Sequence, residues 1–334
     1  EKILVLDGAM GTMIQKCGFS EKDFRGKQFT SHPHDLQGNN DILNLTQPDA
    51  IQDIHEQYLR AGADIIETNT FNANGVSQSD YQTADHVYAI NKAGAEIAHR
   101  AVQNVSKEAF VAGSLGPTNR TASMSPDVNN PAYRNITFDQ LVKDYGNAVN
   151  GLADGGADLL LVETIFDPLN AKAALYAITQ YNKQANKKLP IMISGTISDQ
   201  SGRFLTGMTP EAFYYSMIHS NPMSIGLNCS LGADTLINYL RIIADMADCA
   251  VNVHPNAGLP NELGEYDESA AQMAAEIEAY CKENLVNIIG GCCGTTPEHI
   301  KAISEVTKKY PPRKIPEKKL KHYFTGLEPL EITE

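Results

Sequence analysis

The chain has 334 residues, 42% of them hydrophobic, and a formal net charge of −13. That is enough apolar mass for one large domain, and an acidity ill suited to nucleic acid, whose phosphates demand a basic face. No run of about 18 apolar residues occurs, which excludes a membrane-spanning helix, and the six cysteines (17, 229, 249, 281, 292 and 293) are too few for a disulfide scaffold and fit the reduced thiols of a cytoplasmic protein.

The N-terminus lacks Met and enters a strand-like run at once, without the charged-then-apolar pattern of a leader, as expected of a piece excised from a longer chain. Eight short apolar runs follow in order: 3–8, 63–71, 110–117, 158–165, 191–197, 224–229, 250–258 and 286–294. Between them, segments such as 49–62, 138–156 and 268–284 carry apolar residues at three- and four-residue spacing, the helical period. Strand–helix alternation implies parallel pairing, and apolar runs without alternation fit strands buried on both faces. Eight such units predict a single α/β (β/α)8 TIM barrel over residues 1–307, with long loops at the C-terminal face of the strands. A doubly wound open sheet would alternate similarly, but no G-x-G-x-x-G opens the first helix.

Thr46, Thr209 and Thr296 each stand shortly before a proline (48, 210, 297) and are read as helix caps. Cys17, Cys249 and Cys281 stand alone and are read as core filler. Residues 308–334 are basic, proline-rich and without helical periodicity, the composition of a linker.

The chemistry concentrates at strand ends. Cys229 ends the sixth run, and Cys292 and Cys293 end the eighth, so a closed barrel brings three thiols to one rim. Zinc is one explanation, since three thiolates leave a fourth tetrahedral position for a substrate. A redox couple between neighbours, or incidental packing of small thiols beside glycine, are the others. An open S₃ site suits a thiol substrate, which loses its proton there and stays nucleophilic in an electron-rich shell, so alkyl transfer to sulfur follows naturally. Asp7 and Glu163 could hold a substrate ammonium, and backbone N–H groups around Gly8 and Thr68 a carboxylate; helix capping or a buried rim hydrogen bond is the plainer role for each. Glu67 and Asn256 also end strands. His254 is expected to be a rim histidine satisfied by backbone.

The segments LDGAMGT (6–12), ADIIETNTFNA (63–73), VETIFD (162–167), GLNCSLG (226–232), HPNAGLP (254–260) and GGCCGTTPEHI (290–300) resemble, in order, the homocysteine S-methyltransferase family. Within it, residues 116–138 resemble the cobalamin-dependent methionine synthase branch, and FTGLEPLEI (324–332) resembles that branch's passage into a folate-binding module. The resemblance implies zinc held by Cys229, Cys292 and Cys293, with the sulfur of L-homocysteine as fourth ligand. It further implies Asp7 and Glu163 on the amino group, Gly8 and Thr68 on the carboxylate, and Asn256 near the vacant metal position. The donor would be methylcobalamin on a cobalamin-binding module of the same polypeptide, recharged by methyltetrahydrofolate on another, giving methionine. Loops 17–45 and 114–137 would meet that module, and 308–334 would lead towards the folate-binding one. Where the betaine-using branch has a tyrosine, this chain has Asn72. The rival readings are a stand-alone methyltransferase using S-methylmethionine or betaine, a non-catalytic zinc-stabilised binding module, and a redox barrel with a Cys292–Cys293 disulfide.

Overall fold

A computed structural model of the chain describes residues 2–185, 188–198, 200–262, 264, 266–317 and 322–332. Eight parallel strands form one sheet in the order β1-β8-β7-β6-β5-β4-β3-β2. They are β1 Leu4–Val5, β2 Ile65–Glu67, β3 Phe110–Leu115, β4 Leu159–Ile165, β5 Ile191–Gly195, β6 Ser224–Gly232, β7 Ala250–Asn256 and β8 Ile288–Ile289. A parallel bridge between Leu6 and Ile65 joins the two edges and closes the barrel. Around it run α1 Pro48–Ala61, α2 Val87–Val105, α3 Phe138–Asp154, α4 Pro168–Gln184, α5 Pro210–Met217, α6 Ala233–Met246, α7 Ala270–Lys282 and α8 Pro297–Thr307. The expected (β/α)8 barrel is the observed fold. Among the described residues, no helix is long and apolar enough to cross a membrane.

Both faces of the strands are apolar because both are covered. Outward residues such as Val111, Leu160, Ile193, Ile225 and Val253 are buried among the helices, while Leu6, Ile65, Ala112, Leu159, Leu161, Met192 and Ile288 form a separate cluster inside the barrel. Side chains alternate with period two, so the positions after Ile65, Ala112 and Leu161 on the inner face are Glu67, Ser114 and Glu163. Register carries the pattern on: Met192 pairs with Ser224, which puts Asn228 inside, and Asn228 pairs with His254. The barrel interior is thus apolar towards the N-terminal ends and polar towards the C-terminal ends.

Caps mark the helix starts. The Thr209 hydroxyl accepts from the Ala212 N–H, and Thr137, Ser269 and Asp167 do the same for α3, α7 and α4. Thr296 opens α8 by pairing its N–H with His299 Nδ1. Thr46 does not cap α1. A short helix, Leu43–Thr46, runs straight into it, so the Thr46 hydroxyl is spent on the Ile42 carbonyl, and Gln47 holds the cap position without a side-chain bond. Of the lone cysteines, Cys281 is buried and Cys249 half-buried, but Cys17 is exposed on the last turn of a short helix, Met10–Cys17. It is not core filler.

The segment after 307 is more than a spacer. Arg313 is buried, and its guanidinium donates to the carbonyls of Ala244, Ala247 and Cys249 at distances of 2.6–3.1 Å, where α6 ends and β7 begins. A helix C-terminus leaves carbonyls without partners and favours a cation. Strands β9 His322–Thr325 and β10 Pro329–Ile332 then form an antiparallel hairpin. Tyr323 stacks on Tyr215 with ring centroids 3.6 Å apart, and the Thr209 N–H donates to the Leu327 carbonyl. Composition signalled a linker because apolar residues are sparse there; a single arginine and carbonyls from elsewhere make the attachment. Residues 318–321 and 333–334 of that expected linker lie outside the described residues. Arg313→Met should lower stability by about 3 kcal/mol, since several carbonyls lose a charged donor at once. Urea unfolding of the variant measures this, and an unchanged midpoint would mean that the guanidinium does not anchor the tail.

Candidate active site

At the C-terminal ends of the strands lies a cavity of about 730 Å³, lined by Gly8, Glu67, Thr68, Ser114, Glu163, His254, Tyr266 and all three clustered cysteines, among others. Cys229 Sγ is 3.8 Å from Cys293 Sγ, and Cys292 Sγ is 4.0 Å from Cys293 Sγ. The three sulfurs lie within 4.8 Å of one another. A tetrahedron with metal–sulfur arms of about 2.3 Å has edges of about 3.8 Å, so the thiols stand where three corners of a zinc shell belong.

Local backbone sets them there. The Cys292 N–H donates to the Pro255 carbonyl, and the Cys293 N–H to Asn256 Oδ1 at 3.1 Å. Thr295 closes the turn by donating to the Cys292 carbonyl through both its N–H and its hydroxyl. Gly294 follows at φ +81°, and a Cβ there would also run into Tyr266. Only glycine fits both demands. On β6 the pairing with β7 shifts after Asn228, and Cys229 and Ser230 take φ of +61° and +63°. Non-glycine residues in that region cost on the order of 1–3 kcal/mol each and collect at functional sites. Thr164, next to Glu163, is held likewise at +53°.

Alone, the cluster carries its charge unevenly. Hydrogen bonds from Cys229 and Cys292 draw the Cys293 thiol well below the ordinary thiol range, while hydrogen bonding to its two neighbours and burial push Cys292 well above it. One thiolate is stabilised and the others stay protonated, so three thiolates need a cation among them. The donor set, its spacing and this deficit of positive charge all fit zinc.

Beside the sulfurs is an acidic group. Glu163 accepts from the Ser114 hydroxyl at 2.5 Å, and burial raises its carboxyl to about 7. Burial raises Glu67 and Asp7 well above the carboxylate range too, and the neighbouring Glu163 charge adds to both. Asp7 Oδ2 accepts from the Glu67 N–H, while its buried Oδ1 has no partner. Such a group is destabilised as it stands and gains when an ammonium arrives.

The cavity brings together Gly8, Thr68, Glu163, Cys229, Cys292 and Cys293. Asp7 and Asn256 are buried but are not on its wall; Asp7 supports the Glu67 backbone, and Asn256 the Cys293 backbone. The Thr68 N–H is already donated to the Ala112 carbonyl, whereas among the described residues the Gly8 N–H has no acceptor. His254 departs from its expected backbone partner. Its ring enters the barrel, where the sheet has consumed the neighbouring carbonyls. There Nδ1 lies 3.8 Å from Glu67 Oε1, Nε2 is unpartnered, and burial drops its pKa to about 3. Residues that sequence reasoning left without a role are Ser114, Asn228, Tyr266 and Asp41. Each is polar and sits at or just beyond a strand end or in a long loop, a signal shared with many residues that do nothing.

A family model described as homocysteine S-methyltransferase matches residues 4–307. Among solved structures, the homocysteine methyltransferase MmuM from Escherichia coli in its metallated form superposes with a TM-score of 0.70 at 22% identity, covering 91% of this chain and 96% of that one. Its oxidized form gives the same figures. A B12-independent methionine synthase from Shewanella sp. W3-18-1, in complex with selenomethionine, follows at a TM-score of 0.50 and 14% identity, covering 83% and 91%. At these identities the likeness is one of fold.

Cys292→Ser should cost more metal affinity than the roughly 10- to 100-fold that follows loss of an outer-shell partner. The far-UV spectrum and melting temperature of the metal-free protein should not change, because the residue sits on the rim. Chelator competition reads the first and calorimetry the second; a metal-free variant that unfolds would mean the cysteine is structural. Asp41, buried on the same wall with its Oδ1 accepting from the Asn72 N–H, is raised by burial from 3.8 to about 7. Its contribution to stability is therefore fully present below pH 3.8 and lost as pH rises through 7. The difference in unfolding free energy between wild type and Asp41→Asn, followed by urea from pH 4 to 8, should shift in the variant's favour as pH rises. A flat difference would show that Asp41 ionises normally.

Proposed function

We propose that this chain, which belongs to the homocysteine S-methyltransferase family, binds L-homocysteine with its sulfur at Cys229, Cys292 and Cys293 and presents it for methylation to methionine. The observation that carries this reading is the three-sulfur cluster at tetrahedral spacing on the wall of a cavity that also holds Glu163 and Gly8. The chemistry supplied by a zinc ion held there would be deprotonation of a substrate thiol at neutral pH.

The protein's own residues do the rest. Glu163, kept in place by the Ser114 hydroxyl, takes the substrate ammonium, and Asp7 and Glu67 beside it, held neutral by burial, can ionise as the cation arrives. The free Gly8 N–H faces the substrate carboxylate. The low-dielectric walls keep water from competing for either end. Held at both ends, the substrate leaves only its sulfur aimed at the open mouth, which is the orientation a methyl acceptor needs.

For the donor we propose methylcobalamin on another module of the same polypeptide, with loops 17–45 and 114–137 as the contact and 308–334 leading towards a folate-binding module. The motif in 116–138 supports this, as does Asn72, which stands on the cavity wall where a betaine user carries tyrosine. A second reading is favoured by cavity size: about 730 Å³ exceeds what one amino acid fills, leaving room for a small sulfonium or quaternary ammonium donor beside it. The zinc-loaded protein with L-homocysteine should form methionine from free methylcobalamin and not from S-methylmethionine or betaine. Methionine from either small donor would move the chain to the second reading. Homocysteine that does not enter the zinc shell, seen by X-ray absorption, would leave a non-catalytic metal module.

A further inference from the structure

We propose that Asn228 is a positioning residue that fixes the span between the sulfur end and the amino end of the substrate site, and so sets the preference for homocysteine over cysteine. The inference rests on the proposed function, because it takes Cys229 and Cys292 as the sulfur end and Glu163 as the amino end.

These two ends stand on the tips of β4 and β6, and those strands are not neighbours. β5 lies between them, so no ladder hydrogen bond ties one tip to the other. Both tips also leave regular strand geometry: pairing shifts after Val162 on β4 and after Asn228 on β6, and Thr164, Cys229 and Ser230 all have positive φ. Two irregular tips separated by a third strand need an added tie to keep a constant distance.

The Asn228 carboxamide makes that tie. It is fully buried; its Oδ1 accepts from the Thr164 N–H at 3.0 Å, and its Nδ2 donates to the Thr164 hydroxyl at 2.8 Å. The same Nδ2 lies 3.9 Å from Cys292 Sγ. Thr164 directly follows Glu163, and Cys229 directly follows Asn228. One amide thus joins the residue beside the ammonium-binding carboxylate to the residue beside one sulfur, and touches a second sulfur. A carboxamide suits the task because a backbone N–H and a hydroxyl must be met at once by an acceptor and a donor in one plane.

A fixed span selects chain length. Homocysteine has one methylene more than cysteine between its amino-bearing carbon and its sulfur, so a rigid site satisfies both ends of the longer molecule and only one end of the shorter. If the tips relax, the shorter molecule draws them together and the longer one loses its advantage. One methylene is typically worth about 10- to 200-fold in such discrimination.

The test is calorimetric affinity of the zinc-loaded protein for L-homocysteine and L-cysteine, with zinc content confirmed by chelator competition. Wild type should prefer homocysteine. In Asn228→Ala the ratio of the two affinities should fall by about ten-fold. In Asn228→Asp, whose oxygens can still accept from the Thr164 N–H and hydroxyl, both affinities should weaken beside the thiolates while the ratio stays near that of wild type. A merely structural role would lower the melting temperature and both affinities together, and an unchanged ratio in a zinc-retaining Asn228→Ala protein overturns the proposal. Should that variant not fold, Thr164→Ala removes the hydroxyl partner instead, and an unchanged ratio there overturns it equally. Wild type that takes up neither zinc nor homocysteine would instead refute the proposed function from which the inference starts.

Discussion

Three thiolates within 4.8 Å of one another are untenable without a cation. At an effective dielectric constant of about 20, two like charges about 4 Å apart repel by about 4 kcal/mol. The protein answers in two ways. Without a metal the sulfurs share protons, with Cys293 the one that ionises; with a metal all three could ionise. Everything around the cluster serves its convergence: the Gly294 turn, the shift in pairing on β6, and the Asn256 carboxamide behind Cys293. Those features cost folding free energy that a large barrel core can spare.

The acidic group beside the cysteines follows the same rule with opposite sign. Burial pushes Asp7, Glu67 and Glu163 towards the neutral form, and the Glu163 charge reinforces it at Asp7 and Glu67. A site that raises its own carboxyls in this way is poised for a cationic ligand, whose arrival restores their charge. An amino acid bearing a thiol meets both needs together, offering an ammonium to the acids and a sulfur to the metal. The pairing of the two sites in one cavity is therefore more informative than either alone.

The barrel makes this possible through the graded composition of its interior. Leucine, isoleucine and methionine fill the lower layers, so the upper positions are free to be Glu67, Ser114, Glu163, Asn228 and His254. The tail adds its own tie at the opposite face, where Arg313 meets the carbonyls at the end of α6. A second tie, from the Thr209 N–H to the Leu327 carbonyl, holds the same tail on the face that carries the cavity.

Much of this was legible in the sequence. Eight apolar runs between helical segments determined the fold class, because hydrophobic period and strand count are local properties that survive in one dimension. The adjacent pair Cys292–Cys293 and the lone Cys229 pointed to one thiol cluster, because each closes an apolar run at the same end of the barrel. The residues that orient the site were decided only in three dimensions. Thr46 reads as a cap until a preceding helix claims its hydroxyl, and Thr68 offers an N–H until its partner strand takes it. His254 has a backbone partner on paper and none inside the barrel. Arg313 sits in a segment composed like a linker and is held by carbonyls at and just after the end of α6. Ser114 and Asn228 look like ordinary polar residues until register turns them onto Glu163 and Thr164. Sequence specifies which groups reach the rim; the pairing register, the irregular strand tips and competition for backbone hydrogen bonds specify which of them remain available to a ligand.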